Sequence, residues 1–389
     1  MSPPEKLGLI LTGGGARVAY QVGVLKAIAE FLPRHAHNPF PIICGTSSGS
    51  LNAATLATSA RSFRKGVQHL LGIWKHSHVN YIYRNDPVGV FRNSALWFAG
   101  LISSSMGMNR LSNVSLLDNT PMAAMLETVL PYEKIQENID AGHLYALSVT
   151  ASSYDSGCSV TFYQGAEGIQ PWKRAHRMGT PATIGPRHLL ASSAIPFIFP
   201  AVLLNHEYFG DGSMRQTAPI SSALHLGATR VLVISLGHTE NEQSHPGDPA
   251  DYPSLAKISG HVMDSIFLDG MEGDLERIRR INHTIGMLPE DARQHTSLRH
   301  IEVLVIKPSQ AIEKIAQLYS GNLPWAIRFL LRGIGAMRHS GANLMSYLLF
   351  EKNFCNALID LGYQDALRQK QEILIFLNQQ KQPAESLQP

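Results

Sequence analysis

The feature that most constrains this chain is a serine between two glycines, at the junction of an apolar segment and a helical one. Residues 41–44 are mostly apolar and predict a short strand, and residues 51–57 predict a helix. Gly45-x-Ser47-x-Gly49 lies between them, which is the strand–turn–helix context of a nucleophile elbow. The helix N-terminus there favours negative charge and makes the serine oxygen a better nucleophile. A turn that only caps the helix explains the pentapeptide equally well.

A second glycine cluster lies near the N-terminus. Residues 7–11 are apolar and predict a buried strand, residues 18–28 have helical periodicity, and Gly13, Gly14 and Gly15 stand between them. Consecutive glycines at a helix N-terminus expose backbone N–H groups, which bind either a phosphate or the oxyanion of an acyl-transfer intermediate. The loop by itself is compatible with both.

A dinucleotide site would need G-x-G-x-x-G and an acidic residue about 20 residues later. Val18 stands where the third glycine would be, and residues 35–40 contain no carboxylate. We therefore favour an oxyanion hole formed by the N–H groups of Gly14 and Gly15. Arg17 would hold this loop or add positive potential, and the alternative for Arg17 is an ordinary surface arginine.

A serine nucleophile needs a base, and the candidate is Asp211. It follows the apolar residues 201–204 and lies between Gly210 and Gly212, which allow the carboxylate to approach another loop closely. An Asp-Gly hairpin turn is the more common meaning of this dipeptide.

His238 is the alternative base, because it follows a predicted strand at residues 231–236 and would complete a Ser-His-Asp triad. The polar residues 240–246 come directly afterwards and favour a solvated loop at this position.

Taken together, these motifs resemble the patatin-like phospholipase family. In that family a glycine-rich oxyanion loop, a G-x-S-x-G serine and a later D-G-[GA] aspartate occur in this order. Residues 191–200 are similar to the family's A-S-x-A-x-P-x-x-F-x-P segment, which precedes the aspartate. The resemblance covers roughly residues 7–236 and implies a catalytic dyad of Ser47 and Asp211. It implies oxyanion donors at Gly14 and Gly15, and supporting roles for Gly13, Arg17, Gly45, Gly49 and Gly212.

Two positions depart from the family pattern. Val18 replaces the glycine that usually follows the arginine, and Ser213 replaces the Gly or Ala after D-G. Neither change removes a reacting group. We expect Val18 to affect the packing of the loop and Ser213 to hydrogen-bond near the aspartate, with consequences for rate and substrate preference.

The activity implied by the resemblance is that of a serine lipid acyl hydrolase acting on phospholipid or another acyl ester, with no cofactor and no metal. A non-catalytic lipid-binding or regulatory protein with the same fold is the alternative. A nucleotide-binding oxidoreductase that uses the Gly13–Gly15 loop is disfavoured by the missing acidic residue.

Composition restricts the partners and the cellular compartment that we expect for this protein. A net charge of +3 is too small to indicate a nucleic-acid partner, although it does not oppose anionic lipid. The three cysteines are far apart and predict neither a disulfide framework nor a zinc site, which fits a reducing compartment. The N-terminal residues lack a signal-peptide pattern, and no apolar stretch reaches the length of a membrane span. We expect a cytoplasmic protein whose contact with membranes, if any, is peripheral.

Strand candidates that alternate with helical segments predict a three-layer α/β/α fold with a largely parallel central sheet. The later candidates lie at residues 144–150, 231–236 and 301–306. The predicted organisation is a catalytic region at 7–236, a mostly helical continuation at 237–380 packed on the same domain, and a disordered tail at 381–389.

Two segments are candidate lipid contacts. Residues 90–102 are rich in aromatic side chains and would cover an acyl-chain channel, or belong to the core. In the segment from 324 to 350, Trp325, Phe329 and Leu330 would face the acyl boundary of a membrane. A polar stripe would face the headgroups: Arg328, Arg332, His339, Asn343 and Ser346. Packing against the catalytic core explains the same pattern.

Overall fold

The computed structural model describes residues 6–105, 115–238, 255–296, 298–333, 336 and 342–378. Within them, one sheet contains ten strands. They are β1 (Leu7–Leu11), β2 (Ile42–Thr46), β3 (Ala146–Ser153), β4 (Ser159–Gly165), β5 (Trp172–Arg174), β6 (Arg177–Pro181), β7 (Val202–Leu204), β8 (Glu207–Asp211), β9 (Arg230–Ile234) and β10 (Glu302–Ile306).

Helices surround this sheet. In chain order they are α1 (Ala19–Phe31), α2 (Gly49–Thr58), α3 (Phe63–Lys75), α4 (Pro87–Ser105), α5 (Thr120–Val129), α6 (Glu133–Asp140), α7 (Pro186–Ser192), α8 (Ser221–His225), α9 (Leu255–Asp264), α10 (Gly270–Met287), α11 (Glu290–His295), α12 (Ile312–Leu318), α13 (Trp325–Gly333), α14 (Ala342–Leu348), α15 (Lys352–Arg368) and α16 (Lys370–Asn378). Short 3-10 turns include Gly15–Val18, Val79–Tyr81 and Gly212–Arg215, and a π-helical turn, Ser265–Asp269, joins α9 to α10.

The sheet has the order β10-β9-β1-β2-β3-β4-β6-β5. The strands from β10 to β3 are all parallel, whereas β4 and β8 run antiparallel to β3. Parallel strands are covered on both faces, which explains why the central ones are almost entirely apolar. The predicted α/β fold with a largely parallel central sheet is confirmed.

Strand β1 shows how the sheet divides the core into two layers. Leu7, Leu9 and Leu11 point into the larger core, which α1, α2, α3 and α15 share. Ile10 points to the opposite face, where residues of α8 and α10 pack against it. This alternation follows from the two-residue period of a strand, so the three-layer arrangement is already encoded in the apolar run.

Strands β2 and β8 pair with successive parts of the same edge of β3. The last residue of β2, Thr46, is paired with Thr150 of β3, and Asp211 at the end of β8 is paired with the next residue, Ala151. The chain leaves the sheet after Thr46, and β8 occupies the vacated edge. Residues directly after β2 therefore meet the end of β8, although they are far apart in sequence.

The C-terminal region joins the same sheet. β10 pairs in parallel with β9, and α15 packs along α1 at a close crossing. A side chain at Gly23 of α1 would collide with the Ile359 carbonyl, and one at Gly362 of α15 would collide with the Tyr20 carbonyl. We propose that residues 7–236 and the continuation after them fold as one unit. The tail predicted at 381–389 lies outside the described residues.

Candidate active site

Ser47 occupies a sharp turn between β2 and α2. Its φ is +52°, a conformation uncommon for a residue with a side chain, and α2 begins two residues later at Gly49. The N–H and the hydroxyl of Ser50 both donate to the Ser47 carbonyl, at 2.9 and 2.6 Å. A side chain at Gly49 would collide with the Leu11 carbonyl, and one at Gly45 would collide with α2. The turn is thus locked against β1 and has the geometry of a nucleophile elbow.

The hydroxyl of Ser47 donates to the Asp211 carboxylate, with an Oγ to Oδ2 distance of 2.5 Å. Both side chains are buried. The other carboxylate oxygen accepts from the Ser213 N–H at 2.9 Å. Burial raises the pKa of the Asp211 carboxyl to about 6, and the hydrogen bonds from Ser47 and Ser213 oppose that rise. At neutral pH the carboxylate is ionised and can accept the serine proton.

Residues 191–200 hold both members of this pair. The Ser192 hydroxyl accepts from the Ser47 N–H at 2.8 Å and donates to the Thr150 carbonyl at 2.6 Å. The Ala194 carbonyl accepts from the Asp211 N–H at 2.9 Å. The sequence analysis did not identify Ser192 as a site residue. The motif at residues 191–200 could have revealed it, because Ser192 is the serine that follows the first alanine of that motif.

The glycine loop lies against the nucleophile. A side chain at Gly13 would collide with Ser47 and Ser213, and one at Gly14 would collide with Leu236. Gly15 has φ +57° and lines the cavity beside Ser47, and a side chain there would collide with the Tyr347 carbonyl. No side chain fits at these three glycines, so the loop packs as bare backbone beside Ser47, and the oxyanion role of its N–H groups stays a prediction.

Arg17 is buried rather than a surface arginine. Its Nε donates to the Ser346 hydroxyl at 2.6 Å, and its guanidinium lies 3.9 Å from the centroid of the Tyr347 ring. It also forms an ion pair with Asp264 at 3.5 Å and hydrogen-bonds to Asn343. These contacts connect the glycine loop to α14 and α9. The geometry therefore supports the role of holding the loop that was considered for Arg17.

The same contacts favour the second of the two interpretations given for the segment from 324 to 350, packing against the core, at two of its positions. Ser346 is fully buried and Asn343 bonds to Arg17, so neither side chain belongs to a polar stripe that faces headgroups. The pattern reflected an internal polar cluster, which helical spacing cannot distinguish from an exposed one. His339, also placed in that stripe, lies outside the described residues.

The two departures from the family pattern have distinct surroundings. Val18 is fully buried, and its carbonyl accepts from the Asn52 side chain at 3.3 Å, so it is part of the loop packing. Ser213 bonds to the Asp211 carboxylate, as expected from its position.

Ser47 lines a narrow cavity of about 30 Å³. Most of the lining is apolar and includes Leu51, Trp74, Met122 and Met125. This space holds about one water molecule, so side chains must move before an acyl chain enters, and methionines adapt readily. Ser48 also lines the cavity; its buried hydroxyl has no hydrogen-bond partner among the described residues.

A second cavity of about 30 Å³ adjoins the first, because Trp74 and Met125 line both. It shares Leu51 and Ile82 with the first cavity and extends to Tyr81, whose ring is exposed. Together the two cavities form an interrupted apolar track that leads from Ser47 toward the surface.

A buried chain of hydrogen bonds holds the tryptophan that lines both cavities. The Trp74 indole N–H donates to the Asn52 side chain at 2.8 Å, and Asn52 donates to Gln21 at 3.0 Å. Gln21 donates to the Thr12 carbonyl at 2.8 Å, immediately before the glycine loop. The wall of the cavity is therefore connected to the loop by hydrogen bonds.

His238 contacts a different part of the chain. Its Nδ1 lies 2.8 Å from the Pro308 carbonyl and must carry the proton in that bond. The Ser47 hydroxyl donates to Asp211, so this geometry favours a dyad over a Ser-His-Asp triad. Within the described residues, no group of three His, Cys, Asp or Glu side chains is arranged to hold a metal ion.

The family model for patatin-like phospholipase matches residues 9–224, more than half of the 389-residue chain. The chain belongs to the patatin-like phospholipase family. The patatin-like match includes the glycine loop, Ser47 and Asp211.

Among solved structures, the chain is similar to the crystal structure of VipD from Legionella pneumophila. The two are 12% identical, the match covers 97% of this chain and 68% of that one, and the TM-score is 0.34. A TM-score this low does not itself indicate a shared fold, so the patatin-like assignment rests on the sequence match. Comparison with curated proteins finds no match to this chain.

Proposed function

We propose that this protein is a serine esterase that cleaves acyl esters of phospholipids or related lipids. The observation that carries the proposal is the 2.5 Å hydrogen bond from Ser47 to Asp211, formed in a buried cavity beside a bare glycine loop. Membership in the patatin-like phospholipase family supports lipid acyl esters as the substrate class.

In the first half of the proposed reaction, Asp211 takes the Ser47 proton while Oγ attacks the ester carbonyl. The N–H groups of Gly14 and Gly15 stabilise the negative charge on the carbonyl oxygen. The tetrahedral intermediate then collapses, the bond to the alcohol breaks, and Asp211 returns the proton to the leaving alkoxide. The acyl group remains esterified to Ser47.

In the second half, Asp211 takes a proton from water while the water oxygen attacks the acyl-enzyme carbonyl. Collapse of the second intermediate releases the fatty acid and returns the proton to Ser47. The carboxylate needs to be ionised at the start of both halves, which a pKa of about 6 allows at neutral pH.

The alternative function is a non-catalytic lipid-binding or regulatory protein with the same fold. The observation that favours it is the cavity of about 30 Å³, too small for an acyl chain without side-chain movement. The hydrogen-bonded pair at Ser47 and Asp211 favours catalysis, because a binding protein has no need of a buried carboxylate.

The proposed setting is the cytoplasm, with peripheral access to lipid. Within the described part of the chain, no helix combines the length and apolar character needed to cross a membrane. The cytoplasmic location itself remains a prediction from the sparse cysteine usage.

The test combines a fluorophosphonate probe, which labels activated serines, with a short-chain p-nitrophenyl ester. We expect wild type to be labelled and to turn over the ester, and Ser47→Ala and Asp211→Asn to lose both activities by about a thousandfold or more. A folded wild type that is inert to both reagents would support the binding protein instead. Turnover that survives in Asp211→Asn would show that another group is the base.

A further inference from the structure

Two helices from distant parts of the chain bring three aromatic rings together at the surface. Phe91 of α4 lies 6.0 Å from Trp325 and 5.7 Å from Phe329 of α13, measured between ring centroids. The three side chains are 42%, 56% and 61% exposed. A contiguous cluster of exposed apolar side chains of this kind often marks a site of interaction with a partner or a membrane.

The solvent-facing side of α4 continues this apolar surface. Val88 is 77% exposed, and Ala95 and Ala99 are exposed on the same side of the helix as Phe91. These positions recur at three- and four-residue spacing, so they form one face. Apart from Arg92, the exposed side chains described on this face are apolar, which is the reverse of the pattern expected for a helix that contacts only water. We call Val88, Phe91, Trp325 and Phe329 the aromatic surface.

The two helices that carry the aromatic surface have charged side chains of one sign. Neither α4 nor α13 contains an aspartate or glutamate, and their charged side chains are Arg92, Arg328 and Arg332. Arg92 and Arg332 are exposed. Asp86, which precedes α4, already accepts from the Gly89 N–H and from Arg84. Arg92 and Arg332 thus face an external anion, whereas Arg328 is half-buried and donates to the Gly321 carbonyl at 3.4 Å.

The start of α4, which carries part of the aromatic surface, is linked by a short segment to the cavity of the candidate active site. Ile82 lines the cavity beside Ser47, and α4 begins at Pro87, a few residues later. That length of chain spans at most about 20 Å.

We propose that the aromatic surface docks the protein on an anionic lipid bilayer, with the rings in the acyl boundary and the arginines at the headgroups. Aromatic rings flanked by basic side chains have the composition of an interfacial membrane contact, and arginines near anionic lipid add electrostatic attraction. A surface of the same rings that bound a second copy would place like charges opposite each other, which disfavours that occupant. The choice of lipid over a protein partner rests on the proposed lipid substrate.

The test is flotation of the Ser47→Ala protein with vesicles of mixed phosphatidylglycerol and phosphatidylcholine, and with vesicles of phosphatidylcholine alone. Ser47→Ala keeps the vesicles intact during the measurement. We expect binding to the anionic vesicles that falls as salt is added. In this background, Phe329→Ser should weaken vesicle affinity roughly tenfold, because one large apolar side chain no longer enters the bilayer.

A matched control is Ile375→Ser in α16, because Ile375 is 61% exposed, as Phe329 is, and lies outside the aromatic surface. It should bind vesicles as the parent does. A paired change, Arg92→Gln with Arg332→Gln, should remove most of the preference for anionic vesicles. The proposal would be overturned if Phe329→Ser and Ile375→Ser lost vesicle affinity equally. It would also be overturned if the Ser47→Ala protein itself did not bind vesicles. A parent that forms dimers sensitive to Phe329→Ser and ignores vesicles would overturn it in favour of a second copy.

The docking proposal and the esterase proposal are tested by separate measurements, so the failure of one can be distinguished from the failure of the other. Fluorophosphonate labelling of Phe329→Ser with Ser47 intact reports the site and shows that the variant is folded. Vesicle flotation reports the surface and needs no chemistry at Ser47. Labelling without vesicle binding would leave the esterase proposal standing and remove the docking proposal, and vesicle binding without labelling would do the reverse.

Discussion

Asp211 combines two demands that oppose each other at a single residue. As the proposed base it needs to be ionised, yet it is fully buried, and burial favours the protonated form. Its carboxylate is stabilised by hydroxyl and N–H donors from Ser47 and Ser213 rather than by a cation. The pKa therefore settles at about 6, between that of an exposed aspartate and that of an unassisted buried one. Both the rate and the stability of the protein should report this value.

The first prediction at this scale is a pH profile. Because Asp211 acts only when ionised, kcat/KM for the p-nitrophenyl ester should rise with pH, with a midpoint at about 6, and level off near neutrality. His238→Ala should leave the midpoint unchanged, since the serine proton goes to the aspartate. A rising limb that disappears in His238→Ala would assign the base to the histidine.

The second prediction concerns stability. The pKa of Asp211 is raised in the folded state from 3.8 to about 6, so stability falls as pH rises from about 4 to 6 and stays reduced above it. Asp211→Asn removes this cost. It should stabilise the protein by roughly 3 kcal/mol at pH 7.5, and the gain should shrink to almost nothing near pH 4. Denaturant unfolding at both pH values measures it, and a gain independent of pH would contradict the assignment.

At the scale of elements, the site depends on segments that contribute no reacting group. The C-terminal end of α7 bonds to Ser47 through Ser192, and Ala194 just beyond it bonds to Asp211, so this segment fixes the spacing between the proposed nucleophile and base. Trp74 of α3 lines both cavities and is held by the hydrogen-bond chain through Asn52. These elements should determine how fast the site works and what it accepts, rather than whether it works.

Ser192→Ala tests the first of these elements. It leaves the Ser47 N–H and the Thr150 carbonyl without their partner, so it should lower stability by about 1–3 kcal/mol and kcat by about 10- to 100-fold. Ser222→Ala is the control, because Ser222 is also buried but bonds to the Pro219 carbonyl in the other layer. It should lose stability without losing kcat. Equal kcat in both variants would show that Ser192 does not position the nucleophile.

Trp74→Leu tests the second of these elements, the helix α3 that places Trp74 in the cavity wall. Joining the two cavities should raise the activity on long-chain esters relative to short-chain ones by roughly tenfold, since a further methylene or two would be buried. Trp74→Phe keeps most of the ring volume but loses the bond to Asn52, and it separates the effect of bulk from that of the hydrogen-bond chain. A chain-length profile that is unchanged in Trp74→Leu would place the acyl chain elsewhere.

At the scale of the whole molecule, residues 7–236 and the C-terminal region share one sheet and one core. β10 extends the parallel strands beyond β9, and α15 crosses α1 where Gly23 and Gly362 allow the backbones to touch. Tyr20 of α1 also donates to Asp365 of α15 at 3.1 Å. If this contact is structural, stability should be sensitive to a single methyl group at the crossing.

Gly362→Ala should lower the free energy of unfolding by about 1–3 kcal/mol, because its Cβ would meet the Tyr20 carbonyl and force the helices apart. Gly273→Ala in α10 is the matched control. Its Cβ meets nothing nearby, so the better helix propensity of alanine should stabilise the protein by about 0.5–1 kcal/mol. Thermal or denaturant unfolding compares the two. A neutral Gly362→Ala would argue against folding as one unit.

The sequence analysis predicted the elements around the site well, and their boundaries within a few residues. The strands predicted at 7–11 and 301–306 are β1 and β10, and the predicted 231–236 is β9. Buried parallel strands have a continuous apolar pattern that ends abruptly at glycine or polar residues, so they are easy to locate. The role of Ser192 and the burial of Arg17 were not predicted, because both depend on partners far away in sequence.

The sequence by itself determined the family, the order of the motifs and the identity of the candidate nucleophile and base. These follow from short patterns, since a glycine loop or a G-x-S-x-G turn needs particular residues at adjacent positions. Only the tertiary structure decided that Ser47 and Asp211 share a hydrogen bond, that Arg17 points inward, and that Phe91 meets α13. Those facts depend on which distant segments pack together, and a local pattern carries no record of its long-range partner.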